Sequence, residues 1–383
     1  MDHTNVGVII LTYNDWEDTL ACLERVHAQS DFPRRIVVCD NGSGNEVADR
    51  ILAGWRSLAI RTGHPEPVEV FGDDNAQAPL TLLRREENEG AAGGMNAGLR
   101  LLLYDPDCTA FWLLHNDTLP EPYALAALLR HTQDEKNIGM VGSTLLFHDK
   151  DLLECAAGGT WSRRTGTARL LDEGVERYAL TDRKDIVAKL DYVDGASCLV
   201  LRPLVESIGL YDERFFRFYE DVEYGLRARK AGFRLNWAPG ALVRHRAPNT
   251  GALTPMLAVT EEPDLPPVAD YLYVRNRFFL LRRERARALP FALVALPLPL
   301  SRRMFRGQKD RLRGTACARA WASRPPFPSD SFSIPPCSRP SRRSKTARAS
   351  ACRASRQRPQ PRIFLVRAHL TPSVGALGRP IRD

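Results

Sequence analysis

Three stretches carry the side chains best suited to chemistry. His115-Asn116-Asp117 follows the apolar residues 110–114. An acid at a strand end beside an open cleft can hold a divalent cation on diphosphate oxygens, because Mg²⁺ and Mn²⁺ take oxygen ligands and share their shell with phosphate and water. The same Asp can simply cap a turn, and Asp117-Thr118 does precede Pro120 and a helical stretch. Glu220-Asp221 follows the aromatic run Phe215-Phe216-Arg217-Phe218-Tyr219. One of these carboxylates could take a proton from a hydroxyl, its pKa raised by burial among the rings. Acids in a first helical turn also serve the helix dipole alone. His245 ends a short apolar segment between Arg244 and Arg246, which suits either a metal ligand or a solvated histidine.

The common phosphate loops are missing. Neither Gly-x-x-x-x-Gly-Lys-Ser/Thr nor Gly-x-Gly-x-x-Gly occurs, and Gly90, Gly93, Gly94 and Gly98 do not have the dinucleotide spacing. A P-loop NTPase and a simple NAD enzyme are therefore disfavoured.

The elements that must position these residues alternate. Val6-Gly7-Val8-Ile9-Ile10-Leu11 is a continuous apolar run that suits a strand buried on both faces. Residues 15–29 have helical apolar spacing, 36–39 form a second buried strand, and 47–58 form a second helix. A third strand falls at 80–84, a loop opening into a helix at 90–104, and a fourth strand at 110–114. This rhythm predicts an α/β fold with a mainly parallel central sheet and helices on both faces. Three of the four strands end in polar clusters, Tyr13-Asn14-Asp15, Asp40-Asn41-Gly42-Ser43 and His115-Asn116-Asp117. Ligands of such sheets bind beyond the carboxyl ends of the strands, so the chemistry is expected there. Further on, strands are expected at 140–147 and 196–201, a hairpin at 158–171 and a helix at 219–231. Two short strands at 235–237 and 241–243 lead to His245, and an amphipathic helix spans 270–287.

The whole chain has 383 residues, 44% hydrophobic and 26% charged, which permits a large core and excludes a wholly disordered chain. Its net charge of +8 hides two parts. Residues 302–383 hold 20 Lys and Arg against 3 Asp and Glu, a net of +17; the remainder holds 34 against 43, a net of −9. An acidic body thus carries a basic tail, whose Arg/Pro/Ser/Ala bias fits disorder and equally fits a shifted reading frame of GC-rich DNA. The tail lacks the interleaved aromatics of a base-stacking surface, so no specific nucleic-acid partner is expected. The eight cysteines are scattered without a Cys-x-x-Cys, which suits reduced thiols in a cytosolic compartment. Met1-Asp2-His3 does not read as a signal peptide, and no apolar run reaches the ~18 residues of a membrane span. A cytoplasmic protein is expected, peripheral at most on the inner face of a bacterial membrane.

Taken together and in order, these stretches resemble the family 2 glycosyltransferases, a GT-A group using nucleotide-sugar donors. The resemblance runs from residues 6–14 through Val37-Val38-Cys39-Asp40-Asn41-Gly42-Ser43 and Asn88-Glu89-Gly90-Ala91-Ala92-Gly93-Gly94. It continues through residues 113–118, 216–227 and 240–245 and covers roughly residues 5–285. Within the family the chain is most similar to the bacterial rhamnosyl- and galactofuranosyltransferase-like branch. The resemblance implies a Rossmann-like GT-A domain at 1–250, with a nucleotide-sugar half (1–119) and an acceptor half (120–250). A helical segment able to lie on a membrane surface (251–305) and the basic tail (306–383) follow.

By position, the resemblance places Thr12, Tyr13 and Asn14 against the nucleotide and Asp40 on its pyrimidine base or ribose. Asn88, Gly93 and Gly94 would shape the donor pocket, with Asn116 beside it. Asp117 would hold a divalent metal, Mn²⁺ or Mg²⁺, on the donor diphosphate, with His115 and His245 completing the shell. Asp221 would be the general base and Glu220 its support. The implied partners are a UDP- or dTDP-sugar and a glycan or polyprenyl-linked glycan acceptor, in cell-wall, capsule or O-antigen assembly. His115 departs from the family pattern, which has Asp at that place; imidazole ligates Mn²⁺ but suits Mg²⁺ poorly. Two rivals remain open. A nucleotidyltransferase would need a Gly-rich basic loop after the first strand, where Thr12-Tyr13-Asn14-Asp15 stands. An inactive sugar-nucleotide or glycan-binding homologue draws on His115.

Overall fold

A computed structural model describes residues 4–72, 78–179, 183–246 and 267–295. The basic tail expected at 306–383, and residues 251–266 and 296–305 of the expected helical segment, lie outside the described residues.

The first half alternates as its hydrophobic pattern requires. In order come β1 (Thr4–Thr12), α1 (Trp16–His27), β2 (Pro33–Asp40), α2 (Asn45–Thr62), β3 (Val68–Phe71), β4 (Leu80–Arg84), α3 (Gly90–Leu103) and β5 (Ala110–His115). The second half contains β6 (Thr118–Pro120), α4 (Ala124–Arg130), β7 (Ile138–Phe147), β8 (Leu153–Ala156), β9 (Gly158–Trp161) and β10 (Ala168–Leu170). It continues with α5 (Arg183–Lys189), β11 (Tyr192–Val193), β12 (Ser197–Leu201), α6 (Arg202–Ile208), α7 (Glu220–Lys230) and β13 (Arg234–His245). Two further helices, α8 (Pro267–Arg285) and α9 (Leu289–Ala295), complete the described chain.

The main sheet has the order β3-β4-β2-β1-β5-β12-β7-β13-β6, with β8 added on β7. β3, β4, β2, β1 and β5 run parallel; β12 is antiparallel to both its neighbours, and β13 is parallel to β7. The sheet is therefore mixed and mostly parallel. β1 has β2 on one side and β5 on the other, so the chain reverses its direction of travel across the sheet at β1. That reversal opens a crevice at the carboxyl ends of the strands. The register places Thr12 opposite Asp40 and Leu11 opposite His115, so the three polar strand ends meet at one edge.

Burial on both faces follows from the pleat. Val6, Val8 and Ile10 enter the core with α1, α2 and α4, whereas Ile9 and Leu11 enter the opposite core with α3 and α7. The helix ends are specified locally. Asp15 accepts the Asp18 N–H and caps α1, and Gly63, left-handed at φ 73°, ends α2.

Three expectations need correction. β3 was not anticipated, because a four-residue edge strand after Pro65 and Pro67 has too little pattern to be recognised. The two short strands near 235–243 are one strand, β13, whose pairing with β7 shifts register between Trp237 and Leu242. The shift absorbs Pro239, which has no N–H to give the ladder. The third concerns α8. Residues 272–278, 280 and 281 are buried nearly all round, so the apolar stripe packs against protein instead of forming one amphipathic face. Among the described residues, no helix is long and apolar enough to cross a membrane.

Candidate active site

The end of the crevice at β1 and β2 is built from backbone turns latched by amides. Asn14 has φ 58°, and its N–H donates to Ser43 Oγ at 2.7 Å, tying the end of β1 to the end of β2. Asp40 is almost fully buried; its Oδ1 accepts the Ser43 N–H at 3.1 Å, while its Oδ2 has no hydrogen-bond partner. Burial raises its pKa. Asn41 donates to Asn88 Oδ1 (3.1 Å) and to the Gly90 carbonyl (2.9 Å), and its Oδ1 accepts from Glu89 N–H. Asn88 in turn accepts Gly90 N–H at 2.8 Å. Thr12 is buried and bonded to Thr19 and Asp15, whereas Tyr13 is half exposed at the rim.

Gly90, Gly93 and Gly94 are in the first turns of α3, not in a loop ahead of it. Gly94 leaves room for Leu11 and Asn41, and Gly93 lies over Glu89. Gly90 has φ +76°, and a Cβ there would collide with the backbone carbonyl of Phe216. Gly90→Ala should accordingly lower the free energy of unfolding by more than about 1 kcal/mol, checked by urea denaturation. An unchanged midpoint would show that the Phe216 segment yields at no cost.

The second half of the crevice gathers charge. His115, Asp117 and His245 each offer a ligand atom, and these atoms all lie within 4.8 Å of one another. β5 delivers His115, the turn before β6 delivers Asp117, and the end of β13 delivers His245 by pairing with Thr118. Asp117 Oδ1 and His245 Nε2 are 3.3 Å apart, yet each is a buried polar atom without a hydrogen-bond partner. On its other side His245 pairs through Nδ1 with Glu154 Oε2 at 2.7 Å. That contact turns Nε2 toward Asp117. Burial works against charge on the ring, but Glu154 and Asp117 raise the His245 pKa well above its usual value, so a cation binding at Nε2 would displace a proton. Burial works against the Asp117 carboxylate, but the adjoining His245 overrides it and holds the carboxyl below its usual range. Burial lowers the His115 pKa to about 4, which leaves the ring neutral and able to act as a ligand.

Across Gly195 lies the acid pair. A Cβ built on Gly195 would sit 3.7 Å from Asp221 Cβ and 4.0 Å from His115 Nε2, so that glycine keeps the space between the two groups open. Burial, then the neighbouring Glu220 and Asp194, push Asp221 well above its ordinary pKa. Burial raises Glu220 to about 7 and Asp194 to about 6. Glu220 Oε2 also lacks a partner. Buried polar atoms are normally satisfied. Asp40 Oδ2, Asp117 Oδ1, His245 Nε2 and Glu220 Oε2 are instead left open along one sheet edge, the arrangement expected of a site awaiting polar ligands and a cation.

A model of the glycosyltransferase-like family 2 matches residues 3–259. The chain belongs to this family. Galactofuranosyltransferase GlfT2 of Mycolicibacterium smegmatis is 23% identical over 288 residues, covering 71% of this chain and 40% of that protein. An N-acetylglucosaminyl-diphospho-decaprenol L-rhamnosyltransferase of Mycobacterium tuberculosis is 38% identical over 61 residues, covering 16% of this chain and 20% of that protein. The chain thus matches less than half the length of either relative. A structure of GalNAc-T7 with UDP, GalNAc and Mn²⁺ superposes with a TM-score of 0.50 at 15% identity, covering 72% of this chain and 48% of that one. The shared fold is the GT-A fold.

In this family member the structure brings Asp117, His115 and His245 together and sets Glu220 and Asp221 across Gly195 from them. Asn116 donates to Thr19 Oγ1 (3.3 Å) and the Asp15 carbonyl (3.4 Å), which braces the β1–α1 turn. Two carboxylates of the site went unremarked in the sequence. Asp194 stands just before β12, and the pair Asp194-Gly195 ahead of a buried strand was the available signal. Glu154 lies within β8, where no local pattern marks it. Two concavities of about 320 and 370 Å³ lie elsewhere, lined around Trp161 and Arg163 and around Arg183 and Phe233; neither includes these residues.

Proposed function

We propose that the chain transfers one sugar, with inversion, from a pyrimidine nucleoside-diphosphate donor to a hydroxyl of a glycan or polyprenyl-linked glycan. The observation that carries this reading is the open His115–Asp117–His245 cluster facing the Glu220–Asp221 pair across Gly195. Asp40 Oδ2, a buried acceptor without a partner, suits the N3–H of a pyrimidine or a ribose hydroxyl.

The donor set fits a divalent metal, and two imidazoles favour Mn²⁺ over Mg²⁺. Asp117, His115 and His245 would hold it, and its chemistry when bound is neutralisation of the charge that develops on the departing diphosphate. His115 does not favour an inactive homologue, because its neutral ring belongs to the cluster. Asp221 accepts the proton of the acceptor hydroxyl as that oxygen bonds to the anomeric carbon. The bond from this carbon to the diphosphate oxygen breaks on the opposite side, which inverts the configuration. The neighbouring Glu220 carboxyl helps raise the Asp221 pKa and so tunes its basicity.

Glu154 has a supporting part. Removing a carboxylate that orients a metal-binding histidine costs about 10–100-fold in metal affinity. Glu154→Gln should weaken Mn²⁺ binding by that factor, read by calorimetry, with the fold unchanged. Equal affinity in the two proteins would remove Glu154 from the account.

Calorimetric titration of UDP, dTDP and GDP into the full chain, with Mn²⁺ or EDTA, tests the reading. Binding of a pyrimidine diphosphate that needs Mn²⁺ is expected. Binding indifferent to metal, or no binding by folded protein, would overturn it.

A further inference from the structure

The segment that leads into the acid pair is strained. Phe216, Phe218 and Tyr219 have φ of 62°, 71° and 70°, left-handed values that bulky L-residues disfavour. Such a backbone persists only where its surroundings over-determine it. Here the surroundings are largely α8. Asn276, fully buried, directs Nδ2 at three carbonyls: Phe215 at 2.7 Å, Arg217 at 2.8 Å and Phe218 at 2.7 Å. Its two amide protons are shared among them. Arg275, also buried, donates Nε–H to Asn276 Oδ1 at 2.8 Å, which fixes the amide with Nδ2 toward the loop. The same guanidinium reaches the carbonyls of Arg214 and, at 3.2 Å, Phe215. The remaining carbonyl, Phe216, accepts from Ala92 N–H at 3.2 Å, at the start of α3.

Every carbonyl from 214 to 218 is therefore held, four by α8 and one by α3. Tyr219 then stands as the N-cap of α7 without a side-chain cap bond of its own. Where α7 begins, and so where Glu220 and Asp221 project, is set by this clamp and not by a capping residue. We infer that Asn276, oriented by Arg275, is a positioning residue for the Glu220–Asp221 pair. It acts through the left-handed Phe216–Tyr219 backbone and touches neither donor nor acceptor. The inference rests on the proposed acid–base role of that pair.

The clamp predicts a separable kinetic effect. Removing the amide takes the donor from the Arg217 and Phe218 carbonyls and frees the strained residues to relax, which displaces the carboxylates but not the Asp40 or Asp117 ends of the crevice. A misplacement of about 1 Å costs about 10²-fold in rate. In the full chain with Mn²⁺, Asn276→Ala and the isosteric Asn276→Asp should lower kcat by about 10²-fold and leave the donor KM within about twofold. Amide hydrogen exchange across 214–222 should quicken at least about tenfold, while β1 and α1 keep wild-type protection. A folded variant with wild-type kcat and wild-type exchange over 214–222 would overturn the inference, and so would a loss of kcat that tracks a general loss of protection. Should both Asn276 variants fail to fold, Arg275→Lys decides. It keeps the charge but loses the planar fork, and it should show the same pattern with a loss of about tenfold; unchanged kcat and exchange would count against the clamp. Wild-type protein that releases no nucleoside diphosphate from any donor would sink the proposed function instead, and the exchange readings would still judge the clamp.

Discussion

Asp221→Asn should lower kcat by about 10²–10⁴-fold, the usual contribution of a positioned general base. Donor affinity should stay near the wild-type value, because the nucleotide and cation groups lie at other strand ends. The amide keeps the shape of the carboxylate and its contact with the Val222 N–H, seen at 2.7 Å, so a folding defect is not expected. A matched loss of donor binding would instead place Asp221 in the donor pocket. The surroundings of Asp221 also set a pH dependence. Burial raises Glu220 to about 7 and Asp194 to about 6, and both neighbours push Asp221 upward as well. A raised carboxyl pKa means the group is protonated, and useless as a base, below that pH. The rate should therefore climb as pH rises above the ordinary carboxylate range, since Asp221 must shed its proton to act as a base. Initial rates from pH 5 to 9 at saturating donor check this, and a flat profile would contradict it.

Asp117→Ala should abolish Mn²⁺-dependent donor binding and transfer together. The carboxylate is the sole anionic member of the His115–Asp117–His245 cluster. Without it two imidazoles would have to hold a hard cation and face a diphosphate. Charge stabilisation by a bound metal amounts to several kcal/mol, so a loss of about 10³-fold or more in kcat/KM is expected. The substitution also removes the buried Asp117–His245 ion contact, so a loss of stability accompanies it. Calorimetry with Mn²⁺ and the nucleoside diphosphate, alongside thermal melting, separates the two effects. Retained Mn²⁺ affinity in a folded Asp117→Ala protein would move the cation elsewhere.

The parts of this site that could be read in the sequence are those that a strand end displays. Residues 6–11, 36–39 and 110–114 are apolar runs, and in a parallel sheet their polar successors must share one edge; Asp40, His115 and Asp117 followed directly. Glu154 was hidden because its partner His245 is 91 residues away, and one Glu inside β8 has no periodic signature. Asp194 and Gly195 precede an antiparallel strand, so they reach the site from its amino end, against the rule applied to the parallel strands. The acid pair was evident as a motif, but its support was not. Asn276 lies about 60 residues from the carbonyls it holds, and α8 reads as an apolar stripe with arginines that a membrane surface would equally suit. The left-handed backbone at Phe216, Phe218 and Tyr219 runs against what aromatic residues prefer locally. No local rule predicts it, because tertiary contacts impose it. Pro239 lies between the two short strands expected at 235–237 and 241–243, and the sheet accommodates it within one strand by a register shift.

The central claim is that this cluster and this acid pair together transfer a sugar. It is tested most directly by nucleoside-diphosphate release from a panel of UDP-, dTDP- and GDP-sugars, using the full chain with Mn²⁺ or EDTA and Asp117→Ala alongside. Release from a pyrimidine-nucleotide donor, stopped by EDTA and absent in the variant, is expected. Release that persists in EDTA and in Asp117→Ala, or none from any donor by folded wild-type protein, would contradict it.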